Sequence, residues 1–270
     1  MTIAFLGGGN MAHALIGGLL GRGYDRTSIC VVEVSAPARE RLAARHGVHV
    51  SAAPDAATSQ AGILVLATKP QDLKAAVTPF GNGLEGKLVI SIAAGVRLDA
   101  LSRWLCGHRK LVRCMPNTPA LIGEGIAALY ALPEVSAGER DVAEAILRAV
   151  GGVVWVEEER LLDPVTAVSG SGPAYVFWFI EQLAACGVQL GLPKDTALKL
   201  AMQTVLGAAK LAAQSADPPG ELRRQVTSKG GTTEAALKVF EQEKLREKIM
   251  KALEAASRRG AELGDELGKD

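Results

Sequence analysis

The sequence is poor in aromatics, cysteines and net charge, and each shortage excludes a class of function. Phe, Trp and Tyr make up 4% of the 270 residues and cluster at Tyr175–Phe179, so no stacking platform for bases is interleaved along the chain. A formal net charge of +1 gives neither nucleic acid nor an acidic membrane an electrostatic reason to bind. The four cysteines, Cys30, Cys106, Cys114 and Cys186, have neither metal-ligand spacing nor a paired framework. Scattered thiols point to a reducing compartment and to no resident metal. The apolar stretch Ala174–Leu192 is interrupted by Glu181, Gln182 and Gln189, too polar for a membrane span. The opening MTIAFLGGGNMA has no basic leader and reads as a strand and turn rather than a signal peptide. The expected setting is the cytoplasm, with no membrane and no nucleic acid as partner.

What is present is ordinary globular material, 48% apolar and 22% charged, in a chain long enough for two domains. Short β-branched runs predict strands at 3–6, 29–34, 63–67, 88–92, 111–114, 126–130 and 153–156. Helical patterns lie between them at 11–22, 37–46 and 72–80. Such alternation predicts parallel strands with right-handed crossovers, a Rossmann-type doubly wound α/β sheet over residues 1–160. From 161 to 270 the strand signals stop. Helices are expected at 173–190, 194–215, 221–226, 232–241 and 245–267. Those at 173–190 and 194–215 are apolar nearly all round and must be buried all round, more than a small helical domain achieves alone. The all-helical part is therefore expected to serve dimerisation by interlocking with a second copy, with burial against the sheet as the alternative.

Gly7-Gly8-Gly9-Asn10-Met11-Ala12 follows the first strand and opens the first helix. It fits G-x-G-x-x-A, whose small residues allow a tight turn and close approach of a pyrophosphate. The helix N-terminus, at Asn10 and Met11, adds unpaired N–H groups. Glu33, at the end of the second strand, stands where a carboxylate accepts hydrogen bonds from an adenosine ribose; it equally suits a solvated strand end. Ala67-Thr68-Lys69-Pro70 and Ser91-Ile92-Ala93-Ala94-Gly95 end two further strands, on the edge where such sheets bind ligands. The cofactor expected is NADP(H), with NAD(H) plausible because Glu33 opposes an extra phosphate. The candidate contacts are Gly7, Gly9, Asn10, Met11, Ala12, Glu33, Ala67, Thr68, Lys69, Pro70 and Ala93.

Three further segments carry a resemblance. Arg113-Cys114-Met115-Pro116-Asn117-Thr118-Pro119, Ser169-Gly170-Ser171-Gly172-Pro173-Ala174-Tyr175 and Val226-Thr227-Ser228-Lys229-Gly230-Gly231-Thr232-Thr233 are similar, in this order, to segments of pyrroline-5-carboxylate reductases. The resemblance implies reduction of the small molecule L-1-pyrroline-5-carboxylate to L-proline, the last step of proline biosynthesis, by a homodimer open to further assembly. It implies that Ser228, Gly230, Gly231, Thr232 and Thr233 touch the substrate and that Ala67, Lys69, Pro70 and Ala93 touch the nicotinamide half of the cofactor. Glu33-Val34 departs from the polar or basic pair of many relatives.

The residues themselves agree with that chemistry. The loop Val226–Thr233 holds no His, Asp, Glu or Cys, only hydroxyls and N–H groups leading into a helix, an arrangement suited to a carboxylate. Capping of that helix by Thr227, Ser228 or Thr232 is the competing role. A protonated imine needs no strong acid, so a hydroxyl such as Thr233 suffices to orient the ring nitrogen, and Thr233 is the expected catalytic residue. Lys69 and the four histidines are expected to stand outside the chemistry. A hydroxyacid dehydrogenase would require a lysine acid after the sheet, and residues 163–190 contain none. A redox sensor without turnover would not need the hydroxyl-rich loop.

Overall fold

A computed structural model describes residues 2–81 and 83–269. They form two compact units, one running through Ser171 and resumed from Ala255, the other Gly172–Glu254.

The first unit contains, in chain order, β1 (Ile3–Leu6), α1 (Asn10–Gly21), β2 (Ile29–Val32), α2 (Ala36–His46), β3 (His49–Ser51), α3 (Ala56–Gln60), β4 (Ile63–Leu66) and α4 (Pro70–Val77). Next come β5 (Leu88–Ser91), α5 (Leu98–Trp104), β6 (Leu111–Met115), β7 (Gly125–Ala131), α6 (Ala137–Arg148), β8 (Gly151–Trp155) and the short α7 (Leu162–Val165). The strands form one sheet in the order β3-β2-β1-β4-β5-β6-β7-β8. Both faces are covered over β1, β2, β4 and β5, which is why these strands read as nearly unbroken apolar runs. Ile3 and Phe5 point into one core with Leu15, Ile16 and Leu19; Ala4 and Leu6 point into the other with Leu73 and Val77. All neighbours run parallel except β6 and β7, which are antiparallel. The expectation of a wholly parallel sheet is corrected there. The link between them is a single 3₁₀ turn, Thr118–Ile122, and a parallel return needs a much longer crossover.

Five of these elements were not foreseen: β3, α3, α5, α6 and α7. β3 has three residues and no apolar run; its pairing with β2, not its composition, makes it a strand. The α6 signal was present in the sequence, since Ser136 and Glu139 form a capping box.

The second unit holds α8 (Gly172–Gln189), α9 (Lys194–Gln214), α10 (Pro219–Gln225), α11 (Thr232–Gln242) and the start of α12 (Leu245–Leu267). The expected boundary after residue 160 follows the change from strands to helices. The compact units divide differently because the end of α12 is held by the sheet unit. Arg97 pairs with Asp265 at 2.8 Å and donates to the Ala261 carbonyl, while Gly260 lies over Asp163. Within the single chain α8 and α9 leave large apolar side chains in solvent, among them Phe177, Trp178, Leu200 and Leu206. No helix of the described residues is long and apolar enough to cross a membrane.

Candidate functional site

The pairing of β2, β1, β4 and β5 brings the ends of four strands into one row, with Val32, Leu6, Leu66 and Ser91 in register. Glu33, Gly7, Ala67 and Ile92 follow them. This is the edge where strand order reverses, between β1 and β4, and it gathers the three candidate cofactor turns.

Gly7 has φ +98°, and a Cβ there would strike the Ala67–Thr68 peptide at 2.8 Å, so only glycine lets the two turns approach this closely. Gly9 precedes α1 with open space where its Cβ would stand. No side chain caps α1 and no acidic residue sits in its first turn, which leaves the N–H groups of Asn10, Met11 and Ala12 for a ligand. Pro70 opens α4, with the exposed Lys69 at its N-cap. Thr68 Oγ1 is buried without a hydrogen-bond partner among the described residues, and Ala93 is buried with its N–H 3.4 Å from Ser91 Oγ. A bare helix start, an orphaned hydroxyl and a glycine-lined approach fit a dinucleotide.

Glu33 is not a loose strand-end charge. Its Oε2 accepts the Gly8 N–H at 2.8 Å and its Oε1 accepts the Ser35 N–H at 2.7 Å. Arg39 Nη1 donates to the carbonyls of Glu33 and Val34, at 2.8 Å each.

In the second unit, α11 starts at Thr232 with Gly231 as N-cap and no side chain capping it. The proposed capping role for Ser228 and Thr232 is therefore not seen, and Thr227 instead donates to the Arg223 carbonyl at 2.6 Å. The side chains of Ser228, Thr232 and Thr233 make no hydrogen bond among the described residues. The glycine N–H groups are already used: Gly231 donates to the Ser228 carbonyl and Gly230 to Glu234 Oε2 at 2.7 Å. Donors left for an anion are the first N–H groups of α11 and the three hydroxyls. Sequence reasoning missed Glu234, whose carboxyl is held below its ordinary pKa by the Gly230 N–H and then by Lys238. The signal was a Glu in the third helical position, where acids turn back onto the preceding backbone.

Two motif residues prove structural. Arg113 is buried and pairs with Glu159 at 3.0 Å, with Asp163 at 4.0 Å. Asn117 donates to the Ser169 carbonyl and accepts the Ile126 N–H, joining two of the motifs. His13, on the first turn of α1, has Nδ1 2.9 Å from Nε2 of His46. Their pair lines a cavity of about 330 Å³ with Arg45, Gly17 and Gly18. Burial and nearby arginines lower the pKa of His13, and burial, His13 and Arg45 lower that of His46.

Comparison with known proteins gives two family matches: "Pyrroline-5-carboxylate reductase dimerisation" over residues 159–263 and "NADP oxidoreductase coenzyme F420-dependent" over residues 2–95. The chain is 44% identical over 268 residues to a pyrroline-5-carboxylate reductase of Pseudomonas aeruginosa, covering 99% of this chain and 98% of that one. The Arabidopsis thaliana protein of the same name is 37% identical over 263 residues, 97% of this chain and 95% of its own. Among solved structures, the pyrroline-5-carboxylate reductase of Coxiella burnetii superposes with TM-score 0.92 at 42% identity, covering 97% and 98% of the two chains. The Plasmodium falciparum pyrroline carboxylate reductase, solved with NADP bound, gives 0.85 at 28% identity, covering 98% of each.

Proposed function

This chain belongs to the pyrroline-5-carboxylate reductase family, and from that membership we propose that it reduces L-1-pyrroline-5-carboxylate to L-proline, the last step of proline biosynthesis. The observation that carries the reading is the uncapped start of α11, with its free hydroxyls, in a chain matched over its whole length by reductases of that name.

A bound reduced nicotinamide dinucleotide supplies the two-electron reductant. Gly7, Gly9, Asn10, Met11 and Ala12 hold its pyrophosphate with backbone N–H groups; Ala67, Thr68, Lys69, Pro70 and Ala93 receive its nicotinamide half. Thr68 Oγ1 gains there the partner it lacks in the chain alone. The cofactor is of the NADP(H) class, with Glu33 bearing on the choice between NADPH and NADH.

In the second unit, the N–H groups of Thr232 and Thr233 and the Ser228 hydroxyl take the substrate's carboxylate, while Gly230 and Gly231 keep side chains out of its way. The Thr233 hydroxyl hydrogen-bonds the ring nitrogen and fixes the imine carbon for attack. No acid is required, because the imine arrives protonated. The exposed apolar faces of α8 and α9 are covered by a second copy, so the enzyme works as a cytoplasmic homodimer.

The test is purified protein with NADPH or NADH and pyrroline-5-carboxylate, following cofactor oxidation and measuring proline by chromatography. Stoichiometric proline is expected. Its absence with both cofactors rejects the assignment.

A further inference from the structure

His13 on α1 and the buried His46 at the end of α2 meet ring to ring, although 33 residues of chain separate them. Both line the cavity of about 330 Å³, together with Arg45 and apolar side chains such as Ala14, Leu121 and Val150. No acidic side chain lines it. Arg41 and Arg45 add positive charge beside His13, and Arg45 beside His46. The turn after β6 and the end of α6, which close the cavity, bring only apolar side chains and glycine. Such a surround repels a cation, and no group of three metal-ligating side chains exists among the described residues.

The bond between the rings decides what the pair can hold. His13 Nδ1 lies 2.9 Å from His46 Nε2, so one N–H of the two rings is spent there. Two neutral rings then keep a single donor between the outer nitrogens, His13 Nε2 and His46 Nδ1, neither of which has a partner among the described residues. One added proton makes both outer nitrogens donors and charges the pair. A second proton would set two N–H groups against each other across the same 2.9 Å. While the cavity is empty, burial and the arginines keep the pair neutral. An anion reverses that balance. We propose that this cavity binds one small oxyanion, a carboxylate or phosphate group on a short apolar body, through the His13–His46 pair and Arg45, and that the pair takes one proton from solvent as the anion enters. The site is independent of the dinucleotide and imine readings, since no residue assigned to either lines the cavity.

Sodium butyrate and sodium sulfate keep their charge between about pH 6 and about pH 8, which makes them suitable probes. Each is titrated into the full-length protein while the imidazole C–H resonances, assigned through His13→Gln and His46→Gln, are followed by NMR. The resonances of His13 and His46 are expected to shift together and to saturate at one anion per chain, with those of His49 and His108 unmoved. Affinity should fall by up to about tenfold per pH unit above about pH 7, the slope of one linked proton. Calorimetry in buffers of different protonation enthalpy should count about one proton taken up per anion. Arg45 is exposed, so Arg45→Gln should keep its melting curve while binding weakens roughly 5- to 30-fold, the worth of one partly screened charged contact. Tighter binding of butyrate assigns the occupant to organic carboxylates, and tighter binding of sulfate to phosphate-class anions. Three results overturn the proposal: affinity that ignores pH, shifts that survive unchanged in Arg45→Gln, or a pair that answers zinc ions and neither anion.

Discussion

The guanidinium of Arg113 on β6 meets the Glu159 carboxylate at 3.0 Å across 46 residues of chain, and the same Glu159 oxygen accepts the Leu98 N–H at 2.8 Å. One carboxylate thus ties the sheet to the start of α5. Removing it leaves the buried cation with only Asp163, 4.0 Å away, which costs up to about 3–5 kcal/mol, more than losing the cation and leaving the better-hydrated acid. Urea melts of Glu159→Ala and Arg113→Met are expected to show Glu159→Ala as the less stable of the two. The reverse order would show that the pair is not what holds Arg113 in the interior.

Thr233→Ala is expected to lower kcat roughly 10- to 100-fold, the worth of a hydrogen bond to a charged reacting group. Ser228→Ala is expected to raise KM for the imine with a smaller change in kcat. Because neither side chain caps α11, neither variant should show the loss of about 0.5–2 kcal/mol that a missing cap brings. Melting curves beside steady-state kinetics check both. An early-melting Thr233→Ala that turns over normally would remove the catalytic role.

Glu234→Ala frees the Gly230 N–H and unties the loop from the first turn of α11. The expected effect is a KM for pyrroline-5-carboxylate raised several-fold with a smaller change in cofactor affinity, since the partners of Glu234 are Gly230 of the loop and Lys238 of its own helix. Glu234→Gln, which keeps an acceptor for Gly230, should recover most of it. Equal damage in both variants would assign the effect to the charge rather than to the tie.

His13 and His46 both have pKa values below the ordinary imidazole value, burial being the largest cause for each. As pH falls through about 6.5 the unfolded chain takes up protons that the folded pair resists, so stability is full above that value and declines below it. His108, also lowered chiefly by burial, adds to the slope in the same direction. Thermal melts across this range should show a shallower decline in His13→Gln. A slope equal to that of the unsubstituted protein would mean that the pair titrates alike in both states.

Trp178→Asp adds a charge to the apolar face of α8, where Trp178 is 60% exposed in the single chain. If a second copy covers that face, sedimentation should show a monomer and reductase activity should fall with it. A dimer that persists at full activity would move the interface elsewhere.

The amino-acid sequence by itself determined the strand–helix alternation, the glycine turn and the run of helices after residue 160. These are carried by local patterns: apolar runs for strands buried on both faces, three-to-four spacing for α12, small residues where the backbone must turn. The motifs at 113–119 and 169–175 were equally legible, but not their task. That Asn117 joins Ser169 to β7, and that Arg113 is buried against Glu159, follows only when segments 46 or 52 residues apart are brought within hydrogen-bond distance. Tertiary structure likewise decided that β7 runs antiparallel and that His49–Ser51 is a strand, since pairing with a neighbour, not composition, defines both. Glu33 shows the division within one residue. Its position at a strand end announced a carboxylate near a ribose, whereas its two backbone partners, 25 residues back and two ahead, were fixed by how β1 and β2 lie side by side. Hydrophobic patterning acts over a few residues and can be read along the chain; the partner of a polar group is chosen in space.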